Sequence, residues 1–408
     1  MDRKTDVVIV GAGIAGLALA FELQKRNIST LLLDRRKTPD SAPRGITFQP
    51  NGLEALEKLG ILDRVIQLGS VERILEVKDW NRELLLEADY SVLDHPQNYI
   101  TTVNAVQIEQ LLGYKAENLG AQTVWGAGYR EIIWDNGLAS GVRCDFEGEI
   151  TDFPASVVIG ADGPQSRIRT AIGAVSKVTK YPDSFLVGLT GPVEELTDRA
   201  RQYQAPRKML GIMPAGADAS YFFYCVGDRS FDDLKREGLG SFKTEITEAA
   251  PELDRSFSDV EAWSRIAYFT PSFIRVTPWV GNGVALLGDS AHTFHPHSGQ
   301  GVNLSLQDAL ALAEVIEGAL KTGDTSAKRL MEYQTRRKMF ADVIGQHAHY
   351  TATYALSSNW LIRRLNRRAL RKMQKNRKLM KKALEVTAGV FSKKPGLIEQ
   401  ARIGGILP

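Results

Sequence analysis

The sequence predicts an α/β protein with an inserted antiparallel sheet and a C-terminal helical region. Three observations carry that expectation. A buried-strand run, a glycine-rich turn, a helix and a second buried strand follow one another before residue 35. Strand-like runs separated by turns (SFLVGLTG, KMLGIMPA, SYFFYCV) interrupt the middle of the chain, before TPWVGNGVALLGDSAH returns to α/β texture. An acid-free, strongly basic stretch of helical periodicity lies near the C-terminus.

DVVIV (6–10) is a β-branched run typical of a strand buried on both faces. Gly11-Ala-Gly13-Ile-Ala-Gly16 follows at once, then LALAFELQKRN, whose Leu17, Ala20, Phe21 and Leu23 share a side. TLLLD closes the unit at Asp34. Gly11 permits the tight turn, Gly13 lets backbone approach a pyrophosphate, and Gly16 lets helix and strand pack closely. The helix start offers unpaired N–H groups to phosphate. Asp34 is placed to accept ribose hydroxyls, and its charge argues against a 2′-phosphate, leaving FAD or NAD as the ligand.

Arg44 lies in the loop before a helix opened by Asn51-Gly52, with Leu53, Leu56, Leu59 and Leu62 as its apolar face. A second helix is expected over about 104–118, and a hairpin around Asn136-Gly137. SVVIGADGPQSRIR reads as a buried strand over 157–159 and a turn at Asp162-Gly163. DDLKREGLGSFKTEITEAAPEL reads as a polar helical stretch. A buried strand over 284–287 ends in Gly288-Asp289, and VNLSLQDALALAEVIEGAL reads as a helix with Leu304, Ala311 and Ile316 inward. Neither repeats nor a low-complexity linker separate these parts, so the domains are expected to interleave. One unit takes 1–75, 101–180 and 270–345, the inserted sheet takes 76–100 and 181–269, and the helical region takes 346–408.

Composition narrows the function classes. A chain of 408 residues implies about two domains. A net charge of +3 gives no general case for nucleic acid. Two cysteines exclude a disulfide framework and make a reducing cytoplasm the default. No apolar run reaches the ~20 residues of a spanning helix, and MDRKTDVVIVGAGIAG lacks a signal-peptide cleavage site. GDSAHTFHPHSGQGVNLSLQDA packs His292, His295 and His297 close together, but without a fourth ligand or a converging spacing, so no metal is expected. Ser290 is in no Gly-x-Ser-x-Gly elbow, which removes a hydrolase reading.

The glycine motif, GADGPQSRIR and GDSAHTFHPHSGQGVNLSLQDA, in this order and spacing, resemble the single-component FAD-dependent aromatic hydroxylases with the p-hydroxybenzoate hydroxylase fold, over about residues 1–345. The resemblance implies a Rossmann-like FAD-binding domain with an inserted substrate sheet. It implies that Asp289, after Gly288, bonds the FAD ribityl chain and that Pro296 lies beside the isoalloxazine. Gly299, Gly301, Val302 and Asn303 would hold the flavin ring, with the helix start aimed at its pyrimidine edge. Asp162 and Arg169 belong to the segment associated with FAD and the approach of NAD(P)H, and Arg44 matches a basic position near the flavin. Ala105 stands where many relatives have an arginine that meets the FAD phosphates, which leaves Asn104 or Gln107 as neutral donors. Asp34 is shorter than the family's usual glutamate.

The implied activity is NAD(P)H- and O2-dependent hydroxylation of an apolar aromatic or quinone/quinolone-like substrate through a flavin C4a-hydroperoxide. Met213, Tyr221, Phe223 and Cys225 alternate on strand-like runs and are candidates to line its pocket, against ordinary sheet core. His295 and His297 are candidates for substrate contact or proton movement, against plain loop residues. Two rival functions share the fold: a reductase of prenyl-type double bonds, and a non-catalytic flavin redox sensor. The stretch from Leu361 to Leu384 holds 11 basic residues and reads as one amphipathic helix. It is expected either to pack across the domains or to rest on an anionic membrane. Nucleic acid is not expected, because no aromatic platform accompanies the charge.

Overall fold

The computed structural model describes residues 5–39, 44–393 and 396. The remaining ends of the expected segments 1–75 and 346–408 lie outside the described residues.

The α/β part is built on strands with no polar face. Thr5–Val10 lies between Thr30–Asp34 and Glu149–Gly160, parallel to both. Val284–Leu286 and Gln122–Trp125 extend the sheet on either side, also in parallel. Val7, Val8 and Ile9 are fully buried, because helices cover the sheet. The helix Ile14–Lys25 packs on it beside Ala105–Asn118 and Gly301–Thr322. The expected hairpin is present, with Asn136 and Gly137 both at positive φ, joining Gly128–Asp135 to Leu138–Phe146. The strand expected over 157–159 is much longer, because its first half pairs antiparallel with that hairpin.

The second sheet has seven strands, in the order Ile266–Phe269, Phe185–Thr190, Ser220–Cys225, Lys208–Pro214, Arg199–Ala205, Ile74–Asp79, Leu84–Asp89. It is antiparallel except for one parallel pair, Arg199–Ala205 with Ile74–Asp79. Arg199–Ala205 carries no strand-like pattern because its charges have partners. Glu76 accepts from Arg199 (2.8 Å) and Arg201 (2.7 Å) across that pair. Despite burial, the two guanidinium groups hold its carboxyl down to about 2. Phe222 and Tyr224 point into a core with Phe242 and Phe257. Tyr221 and Phe223 therefore face the other way, toward the α/β part. The polar helical stretch is two helices, Phe231–Glu237 and Leu239–Ala249, broken where Gly238 takes φ +90.

Three helices follow among the described residues. Ala327–Ala355 is continuous over 29 residues, so the expected division at 345/346 falls inside a helix. The expected single basic helix is likewise two, Trp360–Lys375 and Arg377–Thr387, divided at Asn376. Met373, Leu379, Met380 and Leu384 pack against Val77, Leu86 and Tyr90. Arg367 bonds Asp79 (3.0 Å) and Glu83 (2.7 Å) on the same hairpin. The inward stripe of the basic segment is thus packing. Leu62 opens its own short helix, Leu62–Leu68, rather than finishing Pro50–Leu59. Ala311 is only partly buried, while Leu312 is fully so.

Candidate active site

The glycine turn does what its spacing requires. A Cβ on Gly11 would lie 2.2 Å from the Ala161 carbonyl oxygen, and one on Gly16 2.0 Å from the Gly11 oxygen. A Cβ on Gly13 would meet nothing within 4 Å. Gly11 and Gly16 are close approaches inside the protein, whereas Gly13 borders open space where a ligand can reach the backbone.

Asp34 turns inward. Its Oδ2 accepts from Ala12 N–H (2.9 Å), and Oδ1 accepts from the Arg36 N–H (2.8 Å) and Nε (3.1 Å). Burial opposes its charge, but the Arg36 side chain and these backbone bonds outweigh it, holding the carboxyl below the usual range. Both Asp34 oxygens are thus engaged within the protein, Arg36 Nη2 also donating to Oδ2 (3.1 Å). Arg36 also donates to the Ala12 carbonyl (2.9 Å) and reaches Glu109, which Arg44 approaches at 3.2 Å. Ala105 is fully buried, and the Asn104 side chain caps its helix by accepting from Val106 N–H. Arg36 and Arg44 are gathered beside this helix by Glu109, which lies on it. The sequence reading missed Arg36 and Glu109, since nothing in the spacing flags a buried acid shared by two arginines.

The other two motifs meet the turn. Asp162 Oδ2 caps the next helix through Arg167 and Ile168 N–H, while its Oδ1 is buried without a partner among the described residues. Arg169 donates to the Pro164 (2.7 Å) and Ser290 (3.1 Å) carbonyls, clamping the two loops together. A Cβ on Gly288 would crowd Ser305 Oγ at 2.8 Å and Ala15 at 3.2 Å. Asp289 reaches solvent, yet enough protein surrounds it that burial raises its pKa against the pull of His292 and Arg44. That combination describes a carboxyl on the floor of a recess. Asn303 is fully buried: its Oδ1 accepts from Gln49 N–H (2.9 Å), and its Nδ2 donates to the Thr47 (3.1 Å) and Gly299 (2.6 Å) carbonyls. It positions the loop rather than facing the recess. Pro296, Gly299, Gly301 and Val302 remain accessible on that loop.

The histidines separate into different roles. His292 bonds Asp308 (2.6 Å), which also holds Arg337 (2.6 Å), all within the core. His295 is buried between the rings of Tyr181 and Phe185, and burial, with His297 and His349 nearby, lowers its pKa to about 3. His297 stays partly accessible, with Nδ1 3.2 Å from Met209 Sδ; burial and His347 lower its pKa to about 4. Both rings are therefore neutral at neutral pH, which weighs against either acting as a charged proton donor. Ser290 is fully buried and bonds backbone. Among the described residues, no cluster of histidine, cysteine, aspartate or glutamate is placed to hold a metal.

The sheet supplies the facing wall. Tyr221 packs over Gly45, where a Cβ would lie 2.1 Å from its ring. Met213 Sδ accepts from Thr47 Oγ1 (3.5 Å). Cys225 is fully buried beside Phe185 and Met209. Met209 went unpredicted, although its alternation with Met213 along KMLGIMP puts both on one face.

The residues fit FAD on three counts: the open approach to Gly13, the unpartnered Asp162 oxygen and the recessed Asp289. A family model described as FAD binding domain matches residues 4–348. The chain belongs to this family. It is 28% identical over 344 residues to 6-methylpretetramide 4-monooxygenase of Streptomyces rimosus, covering 82% of this chain and 80% of that one. It is 26% identical to pentachlorophenol 4-monooxygenase of Sphingobium chlorophenolicum, covering 84% of this chain and 63% of that one. Its fold is that of p-nitrophenol 4-monooxygenase from Pseudomonas putida DLL-E4, with TM-score 0.81, 21% identity and coverage of 96% and 100%. The protein is an FAD-dependent monooxygenase, with NAD(P)H as the family's co-substrate.

Proposed function

We propose that this monooxygenase hydroxylates an apolar, electron-rich aromatic or quinone-like ring held between the flavin loop and the sheet. The observation that carries the reading is the meeting of three distant segments at one recess, faced by Tyr221, Phe223 and Met213. In it, Gly13, on the turn that Gly11 and Gly16 allow to pack, grips FAD with Arg44, Asp162, Arg169 and Gly288-Asp289. The loop Pro296–Asn303 carries the ring, with the start of Gly301–Thr322 offering partial positive charge to its pyrimidine edge.

Bound and reduced by NAD(P)H, FAD supplies the activation of O2. The chain excludes water and orients the substrate. Apolar walls from the sheet desolvate the ring. Neutral His297, beside Met209, offers a polar contact that costs less to bury than an ion. The buried, unlinked Cys144 and Cys225 support placement in a reducing cytoplasm. Peripheral contact with an anionic membrane through the basic C-terminal segment is part of the same proposal, in keeping with an apolar substrate.

The test is a panel of phenols, quinolones and polycyclic aromatics mixed anaerobically with the FAD-loaded protein and NAD(P)H, then exposed to air. The expected result is faster flavin reduction by a subset, O2 uptake matching NAD(P)H consumed, and a product one oxygen heavier. Turnover of a prenyl double bond without O2 would replace this reading with a reductase.

A further inference from the structure

We infer that the outward face of the helix Trp360–Lys375 is a docking surface for an anionic lipid bilayer. The inference rests on the proposed peripheral membrane contact and names the residues that make it. The apolar stripe of the basic segment cannot serve. Ala369, Met373, Met380 and Leu384 are already buried, most of them against the Ile74–Asp89 hairpin. Arg367 pins the inner side to Asp79 and Glu83, while Arg371 reaches Glu83 from the exposed side beside Arg368. Those bonds fix the rotation of the helix and decide what is left outside.

What is left is an apolar tip followed by unpaired cations. Trp360 is 69% exposed, Leu361 49% and Leu365 39%. Leu361, Arg364, Leu365, Arg368 and Lys375 are spaced three, four or seven apart, which places them on one face, and all are exposed. Among the described residues, Arg364, Arg368 and Lys375 form no ion pair, nor do Arg377 and Lys378 beyond the break. The helix contains no acid to neutralise them.

A bilayer surface meets both features at once. Indole and leucine side chains settle at the headgroup boundary, while lipid phosphates approach the arginines. At 16 residues the helix is ~24 Å long, enough to lie flat but not to span, and no helix among the described residues is long and apolar enough to cross a membrane. RNA or DNA would use the charge but leave the leucines unmatched, and Trp360 alone gives little to stack on.

The test uses the full-length, FAD-loaded protein spun with phosphatidylcholine vesicles, with and without phosphatidylglycerol, at low and high salt. The expected result is sedimentation with the anionic vesicles only, weakened by salt. Arg364→Glu/Arg368→Glu and, separately, Trp360→Ser/Leu361→Ser/Leu365→Ser are each expected to lower vesicle affinity by about tenfold or more. Both should retain FAD and its absorption spectrum. Lack of sedimentation with anionic vesicles, or unchanged binding by both variants, overturns the inference. So does binding to an RNA duplex without binding to vesicles, which would assign the face to nucleic acid. The aromatic panel in vesicle-free buffer tests the hydroxylase reading separately, so the two fail independently.

Discussion

The three glycines of the first turn answer to different neighbours, and substitution separates them. Gly16→Ala drives a methyl into the Gly11 carbonyl oxygen, where nothing flexible can yield. The expected cost is ~1–3 kcal/mol of stability, seen as a lower Tm with or without FAD. Gly13→Ala meets no protein atom. It should fold with an unchanged apo Tm and bind FAD about tenfold more weakly or worse, measured by flavin fluorescence on titration. A Gly13→Ala protein with normal FAD affinity would remove the pyrophosphate from this turn. Glu72 gives a second residue-scale prediction. It is fully buried, and burial raises its pKa well above the usual carboxylate value against the opposing pull of Thr102 and backbone. The folded state therefore binds its proton more tightly than the unfolded state does. The associated stability is present at low pH and is lost as pH rises from the unfolded pKa through the folded one. Glu72→Gln keeps the shape and discards the titration, so its Tm should exceed wild type by a margin that widens from pH 5 to pH 8. A constant margin would show that Glu72 does not titrate in that window.

Asn376 shows how an element boundary can escape the sequence. Apolar residues at helical spacing run straight through it, so the periodicity reads as one helix. The structure stops the helix there (φ −131, ψ 94) and uses the Asn376 side chain to cap the next one through Leu379 N–H. Asn376→Ala should lower stability by ~1 kcal/mol in chemical denaturation, the value of a lost cap. Where an apolar run is buried almost throughout, the elements are legible, Thr5–Val10 to within a residue and Ile14–Lys25 to within three. Arg199–Ala205 was not, because its charges are satisfied by Glu76 and Glu252 from elsewhere in the chain. The candidate site divides in the same way. Its glycines and Asp289 are marked by turns and by strand ends. Arg36, Glu109, Tyr181 and Met209 matter through partners far away in sequence, and no local pattern announces them. Asp34 was found, but its closure by Arg36 was not.

At the scale of the whole molecule, FAD is expected to act as a structural member as well as a cofactor. The recess is assembled from residues 11–16, 162–169 and 288–303. The last of these is also tied to the helix Arg377–Thr387, since Gln300 Nε2 donates to the Thr387 carbonyl (2.7 Å). Asn51 N–H reaches the Ala388 carbonyl (3.2 Å), joining the helix after Arg44 to the same point. A ligand that bridges these pieces binds the folded state and not the separated segments. At a free concentration 100 times its Kd it should add ~2.7 kcal/mol of stability. For a chain of this size that corresponds to a Tm rise of about 3–5 °C over the FAD-free protein. Asp289→Ala removes a charge-assisted bond worth ~2 kcal/mol, about thirtyfold in Kd. The variant should then lose most of that rise at the same FAD concentration, while its FAD-free Tm stays close to wild type, because Asp289 reaches solvent and forms no ion pair among the described residues. If FAD raised the Tm of Asp289→Ala as much as that of wild type, the recess floor would not be part of the cofactor's grip, and the convergence of the three segments would be a packing feature alone.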